Sequence, residues 1–78
     1  MQVSYDEEAD AMYVRFRPRA GHIRSTRIDE QRVVDRDDEG VVGVEFLFVS
    51  RGVRLDGLPE SERIAEAMRS FPQPAAAP

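Results

Sequence analysis

Apolar and polar residues alternate along much of the first fifty positions, and a period of two is the mark of half-buried strands. Gln2–Tyr5 puts Val3 and Tyr5 on one face of a first strand. Ala11–Arg17 follows, with Met12, Val14 and Phe16 pointing one way and Tyr13, Arg15 and Arg17 the other. Pro18 ends this strand because proline lacks the ladder donor, and Gly21 permits tight turning. Ile23–Ile28 reads as a weaker strand at or near a sheet edge. Arg32–Asp35 begins a fourth strand around Val33 and Val34. Asp37-Asp38-Glu39-Gly40 is a hairpin turn in which Gly40 supplies a positive φ.

The strand after that turn, Val41–Val49, is apolar on both faces. Val42, Val44, Phe46 and Phe48 alternate with Val41, Leu47 and Val49, interrupted by Gly43 and Glu45. A strand of this kind is central and covered on both sides. Beyond the connector 51–57, Pro59 suits the first turn of a helix, and Glu60 and Glu62 complement its dipole. Ile64, Ala65, Met68 and Phe71 recur at spacings of three and four, an amphipathic stripe that must pack on the sheet. The expected fold is therefore α+β: an antiparallel four- to five-stranded β-meander with one C-terminal helix packed on one face. Residues 1–71 form a single domain, and the Pro/Ala-rich stretch 72–78 is expected to be a disordered tail.

Length and composition narrow the choices. Seventy-eight residues allow one domain. A chain this short buries only about 60% of its unfolded surface, so it needs reinforcement. Disulfides are ruled out by the absence of cysteine, and a zinc site is disfavoured by having one histidine and no thiolate. A partner chain is the remaining staple, so a homodimer is expected. The net charge of −4 argues against nucleic acid or an anionic membrane as partner. No stretch is apolar enough to span a bilayer or to act as a signal peptide, and a cytoplasmic location is expected. All 11 basic residues are arginine, which fits the codon bias of a GC-rich genome.

Two stretches carry a resemblance. The first is Tyr5-Asp6-Glu7-Glu8-Ala9-Asp10-Ala11-Met12-Tyr13-Val14. The second is Val33-Val34-Asp35-Arg36-Asp37-Asp38-Glu39-Gly40, followed by Val42-Gly43-Val44-Glu45-Phe46-Leu47. Together, over about residues 1–50, they resemble the small bacterial domain-of-unknown-function family 2283. The family pattern places one more residue between the glycines matching Gly40 and Gly43, which leaves the register of this hairpin open. The resemblance implies a small, mostly β domain and brings no activity or catalytic residues.

The candidate chemistry is sparse. Asp35, Asp37 and Glu39, with Gly40 sixth, mimic the first half of a calcium loop. The twelfth position is Phe46 where a bidentate Glu is required, so a turn whose Asp residues cap their own backbone is favoured. The turn Asp6, Glu7, Glu8 and Asp10 reads the same way. His22 has no acid or nucleophile assigned to it and reads as a loop histidine. Arg15, Arg17, Arg19, Arg24 and Arg27 lie in a window without a single acid. They are a candidate binding patch for phosphates or an acidic protein surface, set against a solvated face paired to acids. Glu45, inside the most apolar strand, calls for an arginine partner.

These readings favour a non-enzymatic, self-associating interaction or structural module with no cofactor. Its expected dimer face is Tyr13, Val41, Glu45, Leu47 and Val49. The alternatives are a small metal- or ligand-binding protein using the acidic turns, or an accessory that binds protein or nucleic acid through the arginines. The chain shows no nucleophile–base pair and no phosphate loop.

Overall fold

The computed structural model describes residues 1–69. Phe71 of the expected stripe and the Pro/Ala stretch 72–78 lie outside the described residues. Five strands run β1 (Gln2–Asp6), β2 (Ala11–Arg15), β3 (Arg24–Arg27), β4 (Arg32–Asp37) and β5 (Gly40–Leu47). A 3-10 turn, Val49–Arg51, and one helix, α1 (Ser61–Arg69), follow. All pairings are antiparallel, and the order across the sheet is β1-β2-β5-β4-β3. The fold is the α+β sheet-and-helix expected from the pattern, with β5 central and β3 on an edge. One connection departs from a continuous meander. β5 lies between β2 and β4, so the segment after β2 must cross to the far edge before the chain returns.

The core face is built from cross-strand rows. Val3, Val14, Val44 and Val34 make one row, and Tyr5, Met12, Phe46 and Arg32 the next. Ile64 of α1 is fully buried against this cluster, with Leu58, Val49 and Met68 packed around it. Burial of one such side chain contributes about 2–3 kcal/mol. The helix starts at Ser61 rather than Pro59 because Glu60 sits at φ 51, outside the helical region. Glu60 still serves the helix: its carbonyl accepts the Ile64 amide, and its carboxylate pairs with Arg63 at 2.6 Å.

β5 breaks its alternation at both ends, and this corrects the expected two-faced strand Val41–Val49. On β4, Asp35 and Arg36 are neighbours, but they face Gly43 and Val41 of β5. Val42 is the extra residue of a β-bulge, and its carbonyl takes the Phe16 amide at 2.7 Å. The bulge turns Val41 toward the core cluster and Val42 toward the other face. At the far end the strand stops at Leu47. Phe48 takes a left-handed backbone (φ 53) and is 44% exposed, while Val49 drops into the core. Asp10 holds this corner: its carbonyl accepts the Val49 amide, and its carboxylate accepts the Ser50 amide and hydroxyl.

Among the described residues, Arg32 is the one buried cation on the core face, with its side chain 5% exposed. It donates to the Asp29 carboxylate at 2.8 and 3.0 Å and to the carbonyls of Arg54 and Asp56. The connector 53–58 is thereby laid across the sheet, with Val53 and Leu55 packed on the core. Removing Arg32 takes the donor from the Arg54 and Asp56 carbonyls, at about 1–3 kcal/mol for a buried group left unmet. Arg32→Ala should therefore be destabilised by about that much or more, read as a lower urea midpoint. Arg32→Lys should recover only part of it, since one ammonium cannot span both sides. A midpoint unchanged in Arg32→Ala contradicts this role.

Candidate functional site

The sheet face opposite α1 is the largest surface that the fold leaves to be explained. Strand alternation puts Ser4, Tyr13, Glu45 and Val33 in one row across it, and Ala11 beside Leu47 in the next. The row on the other side holds Arg15, Gly43, Asp35 and Ser25. Tyr13, Val33, Glu45 and Leu47 are half-buried by their neighbours alone. Of the expected dimer-face residues, Tyr13, Glu45 and Leu47 do share this face. Val41 and Val49 do not: the bulge and the Phe48 corner send both to the core side.

Tyr13 organises the middle of the face. Its ring lies over Gly43, where an added Cβ would come within 2.7 Å of the hydroxyl and 2.5 Å of the Val14 carbonyl oxygen. Only glycine fits beneath it. The Tyr13 hydroxyl donates to Asp35 at 2.9 Å, and the other Asp35 oxygen accepts the Ser25 hydroxyl at 2.6 Å. Burial, then the bond to the Asp35 carboxylate, pushes the Tyr13 phenol up to about 12. The ring is thus a fixed, neutral, nearly flat feature of the surface.

The expected calcium-like turn is dispersed. Asp35 serves Tyr13 and Ser25. The Asp37 side chain is fully buried and accepts Arg17 twice, at 2.5 and 2.9 Å, together with the amides of Ala20 and Glu39. Glu39 stays exposed at the hairpin tip. Among the described residues, no group of three or more His, Cys, Asp or Glu side chains is arranged to hold a metal ion. His22 is exposed in the β2–β3 connector.

The arginine window is also divided. Arg17 is consumed by Asp37, and β2 ends at Arg15, before Pro18. Arg24 reaches Asp38 and the Asp37 carbonyl, and Arg27 donates to the carbonyls of Asp29 and Glu30. Arg15 and Arg19 have no ion pair among the described residues, and both line one hollow on the open face. The expected arginine partner of Glu45 is likewise absent among the described residues.

The sequence reading expected Asp6 or Asp10 to bond backbone amides, but it did not place the Asp10 partner at Ser50 or single out Arg32. Asp10 belongs to the Tyr5–Asp10 motif, and Tyr5 donates to it at 3.3 Å. A small acidic residue able to adopt the left-handed region just before an alternating strand was the available signal. Arg32 could have been marked by alternation, since it stands two residues before buried Val34.

Comparison with known proteins adds a family. The sequence pattern of the family described as "Protein of unknown function (DUF2283)" matches residues 2–50, well over half the chain. No curated protein and no solved structure matches the chain. The matched stretch runs from β1 through the Asp10–Ser50 contact.

The buried Asp37 carboxylate makes a pH prediction. The Arg17 guanidinium foremost, then the Ala20 and Glu39 amides, hold its carboxyl far below the ordinary carboxylate range, against the opposing cost of desolvation. On acidification through about pH 4 the unfolded chain therefore takes up the proton first, and the stabilisation is lost as pH falls. Asp37→Asn should be less stable at pH 7 and should decline less steeply between pH 5 and 2. Some slope should remain, because the carboxyls of Asp10, Asp29 and Asp56 are also lowered. Urea midpoints across that range measure it, and parallel curves for the two proteins would contradict it.

Proposed function

Since the chain belongs to DUF2283, a family of unknown function, we propose from its geometry that it is a non-enzymatic module that self-associates as a homodimer through the open sheet face. The observation that carries this reading is the surface around Leu47. Leu47, Ala11, Val33 and Tyr13 place half-buried, mostly apolar side chains on three adjacent strands around Glu45. α1 and the connector lie on the opposite face, against the core. Contiguous apolar surface rimmed by charge marks an interaction site in small soluble domains.

Size is consistent with this role. Five strands about 4.8 Å apart and some five residues long present a face of about 20 by 17 Å. Two such faces in contact bury about 700 Å² by this projection, the range of small, weak interfaces. A second copy suits the surface because an isologous contact needs only one self-complementary patch.

The chemistry of the side chains favours interaction over catalysis. The titratable groups with displaced protonation are engaged in structural contacts: Asp37 with Arg17, Asp29 with Arg32, Asp10 with Ser50, Tyr13 with Asp35. A metal-binding reading through Asp35, Asp37 and Glu39 would have to dismantle two of these contacts. A nucleic-acid reading through the arginine window keeps only Arg15 and Arg19, since Arg17, Arg24 and Arg27 are bound to acids or carbonyls.

Size-exclusion chromatography with light scattering at tens of micromolar should give twice the mass of one chain. Leu47→Asp places a charge in the contact and should weaken association at least about tenfold, with an unchanged far-ultraviolet circular dichroism spectrum. A wild-type chain that is monomeric at that concentration overturns the proposal.

A further inference from the structure

The open face carries two shallow hollows of opposite charge on either side of Tyr13, which lines both. The first, about 380 Å³, holds Arg15 and Arg19 beside Asp35 and Val42. Its single carboxylate, Asp35, is already committed to Tyr13 and Ser25, so the two guanidinium groups set its sign. The second, about 310 Å³, holds Glu45 and Asp6 beside Ala11, with no basic residue in its lining. Asp6 spends its carboxylate on the amides of Glu8 and Ala9, which leaves Glu45 as the free acid.

Among the described residues, five of the 11 arginines pair with an acid, in a chain whose acids outnumber its bases by 15 to 11. Arg17, Arg24, Arg32, Arg54 and Arg63 each meet a carboxylate within 4 Å. Arg15, Arg19 and Glu45 have no such partner among the described residues, and all three lie on one face around Tyr13. Arg15 faces Gly43 and Glu45 faces Tyr13, so the two residues are diagonal neighbours on β2 and β5. A two-fold axis lying in the plane of the face, beside Tyr13 and between these two positions, exchanges them between copies. It sets each basic hollow on the other chain's acidic hollow.

We propose that the Glu45 carboxylate of one copy enters the Arg15–Arg19 hollow of a second copy, and reciprocally, so that two equivalent ion pairs flank the apolar contact and fix its register. This rests on the self-association reading and specifies its partner atoms. Arginine suits the task because its planar fork can take a carboxylate through two parallel bonds. Reciprocal pairing also excludes the slipped arrangement, in which like charges would face each other.

Reciprocity gives a test that no pairing within one chain can imitate. Arg15→Glu and Glu45→Arg should each weaken the homodimer at least about tenfold, because each creates two like-charge contacts. Mixed in equal amounts, the two variants should form a heterodimer, since each contact then again sets one carboxylate against one guanidinium. Sedimentation velocity of each variant alone and of the mixture reads this out, with circular dichroism and a thermal melt confirming that each variant is folded. Wild-type association should also weaken as salt is raised. If the wild type is a dimer and both single variants remain dimers, the ion-pair register is wrong while self-association stands. If both variants are monomers and the mixture is too, the register is likewise wrong. A monomeric wild type removes both.

Discussion

A five-stranded sheet has two faces, and the described chain brings material enough to bury one. α1 is nine residues long, and the connector that leads to it adds Val53, Leu55 and Leu58. All of that lies on the side of Met12, Val14, Val44 and Phe46. The arrangement depends on where the connector is laid, and Arg32 decides that by holding the carbonyls of Arg54 and Asp56 from inside the core face. The opposite face must then be stable against water by its own composition. It achieves this with a tyrosine whose hydroxyl is satisfied, a glycine beneath the ring, and apolar residues partly shielded by their neighbours.

The same economy governs the turns. In each acidic turn one carboxylate, Asp37 or Asp10, joins distant segments, while Asp6 caps its own turn. Asp37 ties the crossing segment after β2 to the β4–β5 hairpin through Arg17 and the Ala20 amide. Asp10 ties the β1–β2 turn to the end of β5 through Ser50. Buried or half-buried carboxylates that accept several hydrogen bonds are stabilised as anions, which is why their protonation is displaced without any catalytic role being required. Phe48, at φ 53 with Arg51 stacked 4.8 Å from its ring centroid, marks where this bracing forces the chain out of regular strand geometry.

Strand existence, the antiparallel sense and the centrality of β5 were legible because alternation is a local property, repeated several times along each strand. The faces of Val41 and Val49 were not. A bulge at Val42 inverts the alternation upstream, and the Asp10 contact ends the strand two residues early. Both are set by tertiary hydrogen bonds that a periodicity does not record. The β2–β5 pairing was hidden for a related reason: sequential strands are neighbours more often than not, and here they are not. The arginine patch looked free along the chain, but Arg17, Arg24 and Arg27 are taken up by acids or carbonyls. What survives of it on the open face, Arg15 and Arg19, was in the patch from the start. Its meaning came only with Glu45 on the far side of Tyr13.

The central claim is that the open face, not an edge or the helix, is where this chain meets another copy of itself. Backbone amide shifts followed by NMR during dilution from millimolar to low micromolar concentration test it most directly. The account predicts progressive shifts at Ala11, Tyr13, Arg15, Glu45 and Leu47, with Ile64 and Arg32 unmoved. Shifts confined to the edge strand β3 or to α1, or a spectrum that does not change with concentration, would contradict it.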